Sequence, residues 1–132
     1  GFIIFGEELL LLDEAADMVG GTEDGSYNSS ATITMNDDGI AYAKSLGIIS
    51  VITLGEKGSI LVDRDNVVEI KAKPVDNVID TTGAGDLYAS GFLYGMSHQK
   101  SIVECGRLAS IAGAEIISHF GARPHVKLSS LI

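Results

Sequence analysis

Asp80-Thr81-Thr82-Gly83-Ala84-Gly85-Asp86 runs straight into Leu87-Tyr88-Ala89-Ser90-Gly91-Phe92-Leu93-Tyr94-Gly95. An extended, β-branched approach (Asn77-Val78-Ile79) leads in, and a run of helical period leads out. Ala84, Tyr88, Gly91, Phe92 and Gly95 share one helix face at i, i+4, i+7, i+8 and i+11. Two glycines at the junction let the backbone turn without a Cβ in the way, so its N–H groups can face outward. A helix N-terminus behind free N–H groups suits an anion, through its orphan donors and its macrodipole. Asp86 then sets a carboxylate in the middle of the cradle. One reading is a base beside a transferring phosphoryl group; the other is a plain pair of turn glycines.

Upstream, residues 48–54 (IISVITL) form a near-continuous apolar run, as expected of a strand covered by helices on both faces. A helix precedes it, capped by Asn36, Asp37 or Asp38, carried through Ile40, Ala41, Ala43, Lys44 and Leu46, and stopped at Gly47. Gly55-Glu56-Lys57-Gly58 turns the chain into a second strand over 59–62. Asp63-Arg64-Asp65-Asn66 makes a hairpin loop into a third over 67–72, with Val68, Ile70 and Ala72 on one face until Pro74 breaks the run. Downstream, 96–100 reads as a loop, and Ser101 with Glu104 has capping-box spacing. The helix that follows carries an apolar stripe of Ile102, Cys105, Ala109, Ala112 and Ile116, mostly small and flanked by Gly106 and Gly113, so something packs closely there. Gly121 is placed to end it and Pro124 prevents its resumption.

The N-terminal part reads as a buried strand over 2–5, a helix over 7–18, a polar loop over 20–30 and an edge strand over 31–35. Residues 20–35 fit this pattern least well. Helices alternating with apolar strands, plus an inserted hairpin, predict an α/β sandwich with a largely parallel sheet.

Composition narrows the partners. The 132 residues suffice for one compact domain, with 45% hydrophobic and 20% charged residues. A formal charge of −9 argues against nucleic acid, which calls for a Lys/Arg stripe. An anionic ligand would need backbone amides, a cation or a metal. The one cysteine, Cys105, excludes an internal disulfide and a multi-cysteine zinc site. No signal-peptide pattern and no apolar run near the ~20 residues of a membrane span is visible. A cytoplasmic protein without a membrane partner is expected.

Nucleotide motifs can be tested directly. A P-loop needs a Gly-Lys-Ser/Thr ending, which is missing. The dinucleotide fingerprint needs a third glycine where Tyr88 stands, and its acidic ribose partner ~20 residues on has no candidate beyond Glu104 at a helix start. Nicotinamide binding is thereby disfavoured. Thr53-Leu54-Gly55-Glu56-Lys57-Gly58 lies at the C-terminal end of the best strand, where open α/β sheets place ligands. It reads equally as an ordinary glycine-bounded turn.

DTTGAGD at 80–86, with its small-residue helix, closely resembles the second signature of the ribokinase (pfkB) family of sugar and nucleoside kinases. TLGEKG at 53–58 resembles that family's ATP-binding turn, and the segment ending Gly121-Ala122-Arg123-Pro124 resembles its penultimate helix and following turn. DLYASGFLYG and CGRLASIAGAEIISHFG look more like the adenosine-kinase-like branch than ribokinase itself. The resemblance implies a ribokinase-like three-layer α/β/α sandwich. It also implies ATP-dependent phosphorylation of a sugar or nucleoside hydroxymethyl group, adenosine first, then ribose or fructose.

By the same resemblance Asp86 looks like the catalytic base, and Gly83, Ala84 and Gly85 like the anion hole. Thr53, Gly55, Glu56 and Gly58 resemble residues that hold ATP, with Ser110 and Gly85 beside it. Asp80 and Thr82 resemble ligands of a monovalent cation, usually K+, with Ile116, His119 and Gly121 supplying carbonyls. The family's magnesium-linked N-x-x-E pattern should follow residues 2–5, where Gly6-Glu7-Glu8-Leu9 stands instead, so Mg2+ is implied by the family with Glu7 or Glu8 as its stand-in. The family's first signature and its β-strand lid are missing, and its members are roughly twice this length. Residues 1–132 therefore resemble the C-terminal, nucleotide-binding half of a kinase domain. The resemblance leaves room for a homodimer of the full-length protein. The rival expectation is a nucleotide-binding fragment without catalysis.

Overall fold

The computed structural model describes residues 2–5, 9–10, 32–33 and 37–132. Their elements are β1 (Phe2–Phe5), β2 (Leu9–Leu10), β3 (Thr32–Ile33), α1 (Asp37–Ser45), β4 (Ile49–Thr53), β5 (Ser59–Asp63), β6 (Asn66–Ile70), α2 (Ala84–Ser97) and α3 (Ile102–Ile117). Four strands form one sheet in the order β1-β4-β5-β6.

Strand direction follows from the connections. β4 and β5 are joined through the short turn Gly55–Lys57, and β5 and β6 through Arg64-Asp65, with Arg64 at φ 56°. Such short links can only reverse the chain, so both pairs are antiparallel. β1 pairs with β4 in parallel, Phe2 opposite Ile49. The expected largely parallel sheet is thus not what the described residues show: two of its three pairings are antiparallel. The hairpin counted as an insertion makes up half of the sheet.

Leu9–Leu10 also departs from expectation. It lies not in a helix but in a strand antiparallel to β3, with Leu9 opposite Ile33. Leucine's helix preference is a weak prior that pairing overrides. The rest of the helix expected over 7–18, and the loop over 20–30, lie outside the described residues.

Alternation along the strands feeds two cores. Val51, Leu61 and Ile70 face one side, where they meet Tyr88 and Phe92 of α2 and Cys105 and Ala109 of α3. Ile52, Ile60 and Val62 face the other, against Ala43 of α1. Helices therefore cover both faces, which is why residues 48–54 are mostly apolar, with Ser50 buried among them. Ser101 completes the expected capping box on α3: its hydroxyl accepts from the Glu104 amide, and its own amide donates to the Glu104 carboxylate. α2 runs two residues into the segment expected as loop, through Met96 and Ser97, and α3 stops at Ile117, ahead of Gly121.

α2 and α3 touch almost backbone to backbone. A Cβ on Gly91 would lie 2.7 Å from the Ala109 Cα, and one on Gly95 would lie 2.8 Å from the Cys105 Sγ. On the sheet side, a Cβ on Gly106 would meet Ile70 Cγ1 at 2.8 Å and Leu61 Cδ1 at 2.9 Å. Cys105 is fully buried in this seam.

Gly91→Ala separates two opposed effects. Alanine in a helix interior gains about 1 kcal/mol over glycine. Overlap with rigid backbone costs about 1–3 kcal/mol, so net destabilisation is expected in chemical denaturation. Gly113→Ala, whose new Cβ has its nearest neighbour at 4.0 Å, should be neutral or stabilising.

Candidate active site

Two backbone features and one cleft define the site. At the end of β4, Leu54 N–H donates to the Gly58 carbonyl (2.8 Å), and Gly58 N–H donates to that of Gly55 (3.1 Å). Gly58 has φ 99°, and a Cβ there would overlap the Ile70 carbonyl and lie 2.7 Å from Ala72 N. This turn accepts glycine alone at that position.

At the start of α2, Gly83 adopts the left-handed conformation (φ 78°, ψ 5°). Ala84 N–H donates to the Thr81 carbonyl (3.1 Å), and Leu87 N–H to that of Gly83 (2.9 Å). The amides of Gly85 and Asp86 come before that first helical bond and lack an intrahelical acceptor. No atom lies within 4 Å of where a Gly85 Cβ would sit, so the backbone there is open to approach. Asp86 is exposed in the first turn.

The cleft between these features has a volume of about 780 Å³. Thr53, Gly55, Glu56 and Gly58 line one side, Thr81, Ala84 and Gly85 another, and Ser110 and Gly113 of α3 a third. Gly83 and Asp86 adjoin these lining residues in sequence without lining the cleft themselves. The Ser110 hydroxyl accepts from Lys73 N–H (2.8 Å) and donates to the Lys71 carbonyl (3.4 Å). It thereby pins the chain after β6, whose Ala72, Pro74 and Val75 complete the wall. Tyr88 also lines the cleft, and its hydroxyl makes a buried 2.6 Å hydrogen bond with Ser59 Oγ. Burial pushes the Tyr88 phenol above its ordinary pKa.

Beside the cleft, Asp80 organises a second cluster. Its Oδ1 accepts from Thr82 N–H (2.9 Å) and from Thr82 Oγ1 (2.7 Å), and its Oδ2 accepts from Gly121 N–H (3.0 Å). The Thr82 hydroxyl first, then the Gly121 and Thr82 amides, hold its pKa down at about 2. The Ile117 carbonyl receives the amides of Ile79 (2.8 Å) and Asp80 (3.4 Å), while the Ile116 side chain is buried in the core. His119 adds a favourable charge interaction with Asp80. Its Nδ1 lies 3.1 Å from the Phe120 carbonyl and its Nε2 lies 2.9 Å from Glu115 Oε1. Both partners accept, the carbonyl chief among them, and the imidazole pKa is raised.

The groups that meet the Asp80 carboxylate are all hydrogen-bond donors, two amides and one hydroxyl. Among the described residues no group of three or more His, Cys, Asp and Glu could hold a metal ion. Residues 7 and 8, where a magnesium contact was expected, lie outside them. No helix among the described residues is long and apolar enough to cross a membrane.

The pattern of the pfkB family of carbohydrate kinases matches residues 12–127. The chain belongs to that family. It is 45% identical over 76 residues to an uncharacterized sugar kinase of Archaeoglobus fulgidus, covering 57% of this chain and 30% of that one. The crystal structure of adenosine kinase from Sinorhizobium meliloti superposes with a TM-score of 0.74 at 30% identity, over 98% of this chain and 35% of that one. The ribokinase of Thermotoga maritima matches with a TM-score of 0.65 at 21% identity, over 92% of this chain and 37% of that one, a likeness of fold. The chain thus spans about a third of these relatives, less than the half expected from the motifs.

Within this pfkB chain, the expected nucleotide residues Thr53, Gly55, Glu56, Gly58, Gly85 and Ser110 do share one cleft. Asp80, Thr82 and Gly121 share one hydrogen-bonded cluster. Sequence reasoning places Tyr88 on the α2 face it shares with Phe92 and does not foresee its buried bond to Ser59. Nor does it foresee the stacking of the His125 ring on His119, with ring centroids 3.4 Å apart. A hydroxyl on a mostly apolar helix face was the available signal for the first, and the His119/His125 spacing for the second.

Two measurements check this geometry. Tyr88→Phe leaves Ser59 Oγ buried without its partner and should cost about 1–2 kcal/mol in chemical denaturation. Asp80 should titrate in the folded protein near 2 rather than at its ordinary 3.8, as carboxyl NMR would show. Because its folded pKa is depressed, its contribution to stability is present above 3.8 and is lost as the pH falls toward 2.

Proposed function

We propose that residues 1–132 form the C-terminal, nucleotide-holding part of an ATP-dependent kinase. Its acceptor is a hydroxymethyl group of a sugar or nucleoside. The observation that carries this reading is the cleft in which the Gly55–Gly58 turn meets the N-terminus of α2. Membership in the pfkB family supports the class of reaction. The likeness to an adenosine kinase favours adenosine among acceptors, ahead of ribose and fructose.

In this mechanism ATP lies between the β4–β5 turn and α3, with its adenine toward Ser110 and the apolar wall of Ala72, Pro74 and Val75. The γ-phosphoryl group meets the open amides of Gly85 and Asp86 at the start of α2, with Gly83 shaping the turn. Those donors face the charge that develops on the transferred group, and the helix dipole adds to them. The acceptor hydroxyl attacks the γ-phosphorus in line with the leaving oxygen, and Asp86 takes its proton. Asp80, Thr82 and the carbonyls near residues 116–121 would hold a K+ ion that offsets phosphate charge nearby. Mg2+ would accompany ATP through contacts outside the described residues. A cytoplasmic location and dimerisation of the full-length protein accompany this proposal.

Asp86→Asn in the full-length protein should leave ATP affinity within about twofold and lower kcat by about 10²–10⁴-fold, the worth of a general base. Turnover close to that of the unaltered enzyme would remove Asp86 from this role.

The share of its relatives that the chain spans favours a second reading of the isolated 132 residues. Taken alone, they would bind nucleotide without turning over. Calorimetry with ATP beside a phosphotransfer assay separates the two, since turnover by the isolated chain excludes the second.

A further inference from the structure

Glu115 stands in the last turn of α3, where the helix dipole disfavours a carboxylate. Its side chain is only 8% exposed, and its Oε2 is buried without a hydrogen-bond partner. Neither the helix nor the core is served by that placement, because burying a charge is costly unless it is well paired. What it holds is the following loop. Oε1 accepts from His119 Nε2 at 2.9 Å and from the His125 amide at 2.8 Å. The two imidazoles stack in near-parallel planes 11° apart. One carboxylate oxygen therefore closes both ends of the segment 119–125. Within that bight Gly121, at φ 90°, turns its amide onto Asp80 Oδ2.

We propose that Glu115 is a positioning residue for the proposed phosphotransfer site. It clamps residues 119–125 so that the Gly121 amide stays on Asp80, and so holds the start of the 80–86 turn. Glu115 touches neither nucleotide nor acceptor, and it acts through the loop. The clamp itself is independent of the kinase reading, whereas its effect on turnover rests on that reading.

The test uses the full-length protein and two readouts. Hydrogen–deuterium exchange of a peptide covering residues 118–125 reports the clamp; kcat and KM for ATP report its consequence. Glu115→Ala should raise exchange of that peptide at least tenfold. It should lower kcat at least fivefold, with KM for ATP within twofold, because the β4–β5 turn is untouched. Glu115→Gln keeps an acceptor oxygen for His119 and His125 and should stay within threefold of the unaltered protein in both readouts. His119→Ala removes one arm and should loosen the same peptide, which decides the matter if Glu115→Ala does not fold. Unchanged exchange in Glu115→Ala or, failing that, in His119→Ala overturns the clamp. So does equal loosening in Glu115→Gln and Glu115→Ala. Loosened exchange with an unchanged kcat overturns the positioning role. If the unaltered protein transfers no phosphate, the kinase reading falls while the exchange results still decide the clamp.

Discussion

The close approach of α2 to α3 is the constraint on which the rest of the structure depends. Gly91 and Gly95 offer no Cβ to the backbone at Ala109 and Cys105, so the two helices seat together against one face of the sheet. That seating places the first turn of α2 beside the β4–β5 turn and Ser110 of α3 beside the chain that leaves β6. A bulkier seam would lift α2 and widen the cleft. Glycine's usual cost within a helix is offset here by the packing it permits.

Polar links complete what apolar packing begins. Ser59–Tyr88 ties α2 to β5 beneath the cleft, and Ser110 ties α3 to the segment after β6. Asp80 joins the approach to α2 with the loop after α3. Each spans elements distant in sequence and uses a side chain, and the Asp80 link is reinforced by the Ile79 amide on the Ile117 carbonyl. The cleft walls are therefore held by three cross-links whose geometry is set from the core outward.

Much of this was legible from local pattern. The capping box at Ser101 and Glu104, the small-residue stripe of α3 and the glycine turns at 55–58 and 83–85 are each written within a few residues. Local backbone sterics and helix periodicity decide such features. The largely parallel sheet was over-read although the short links at 55–57 and 64–65 force the chain to reverse; only β1 with β4, distant in sequence, pairs in parallel. Leu9–Leu10 misled because only its partner at Thr32–Ile33 makes it a strand. Ser59 and Tyr88 lie 29 residues apart, and no spacing rule links a strand hydroxyl to a helix phenol across that distance. The Glu115 cluster was missed because a glutamate near a helix end reads as a solvated charge until its burial is seen.

Cys105 gives the seam a chemical consequence. Its sulfur fills the space that a Cβ on Gly95 would take, and burial pushes its thiol pKa up. Only a thiolate reacts readily with alkylating reagents and oxidants. In the folded chain both burial and the raised pKa disfavour reaction of Cys105, so its labelling would report exposure of the α2–α3 seam. The protein carries a built-in reporter of its own opening, read out by mass rather than by fluorescence or heat.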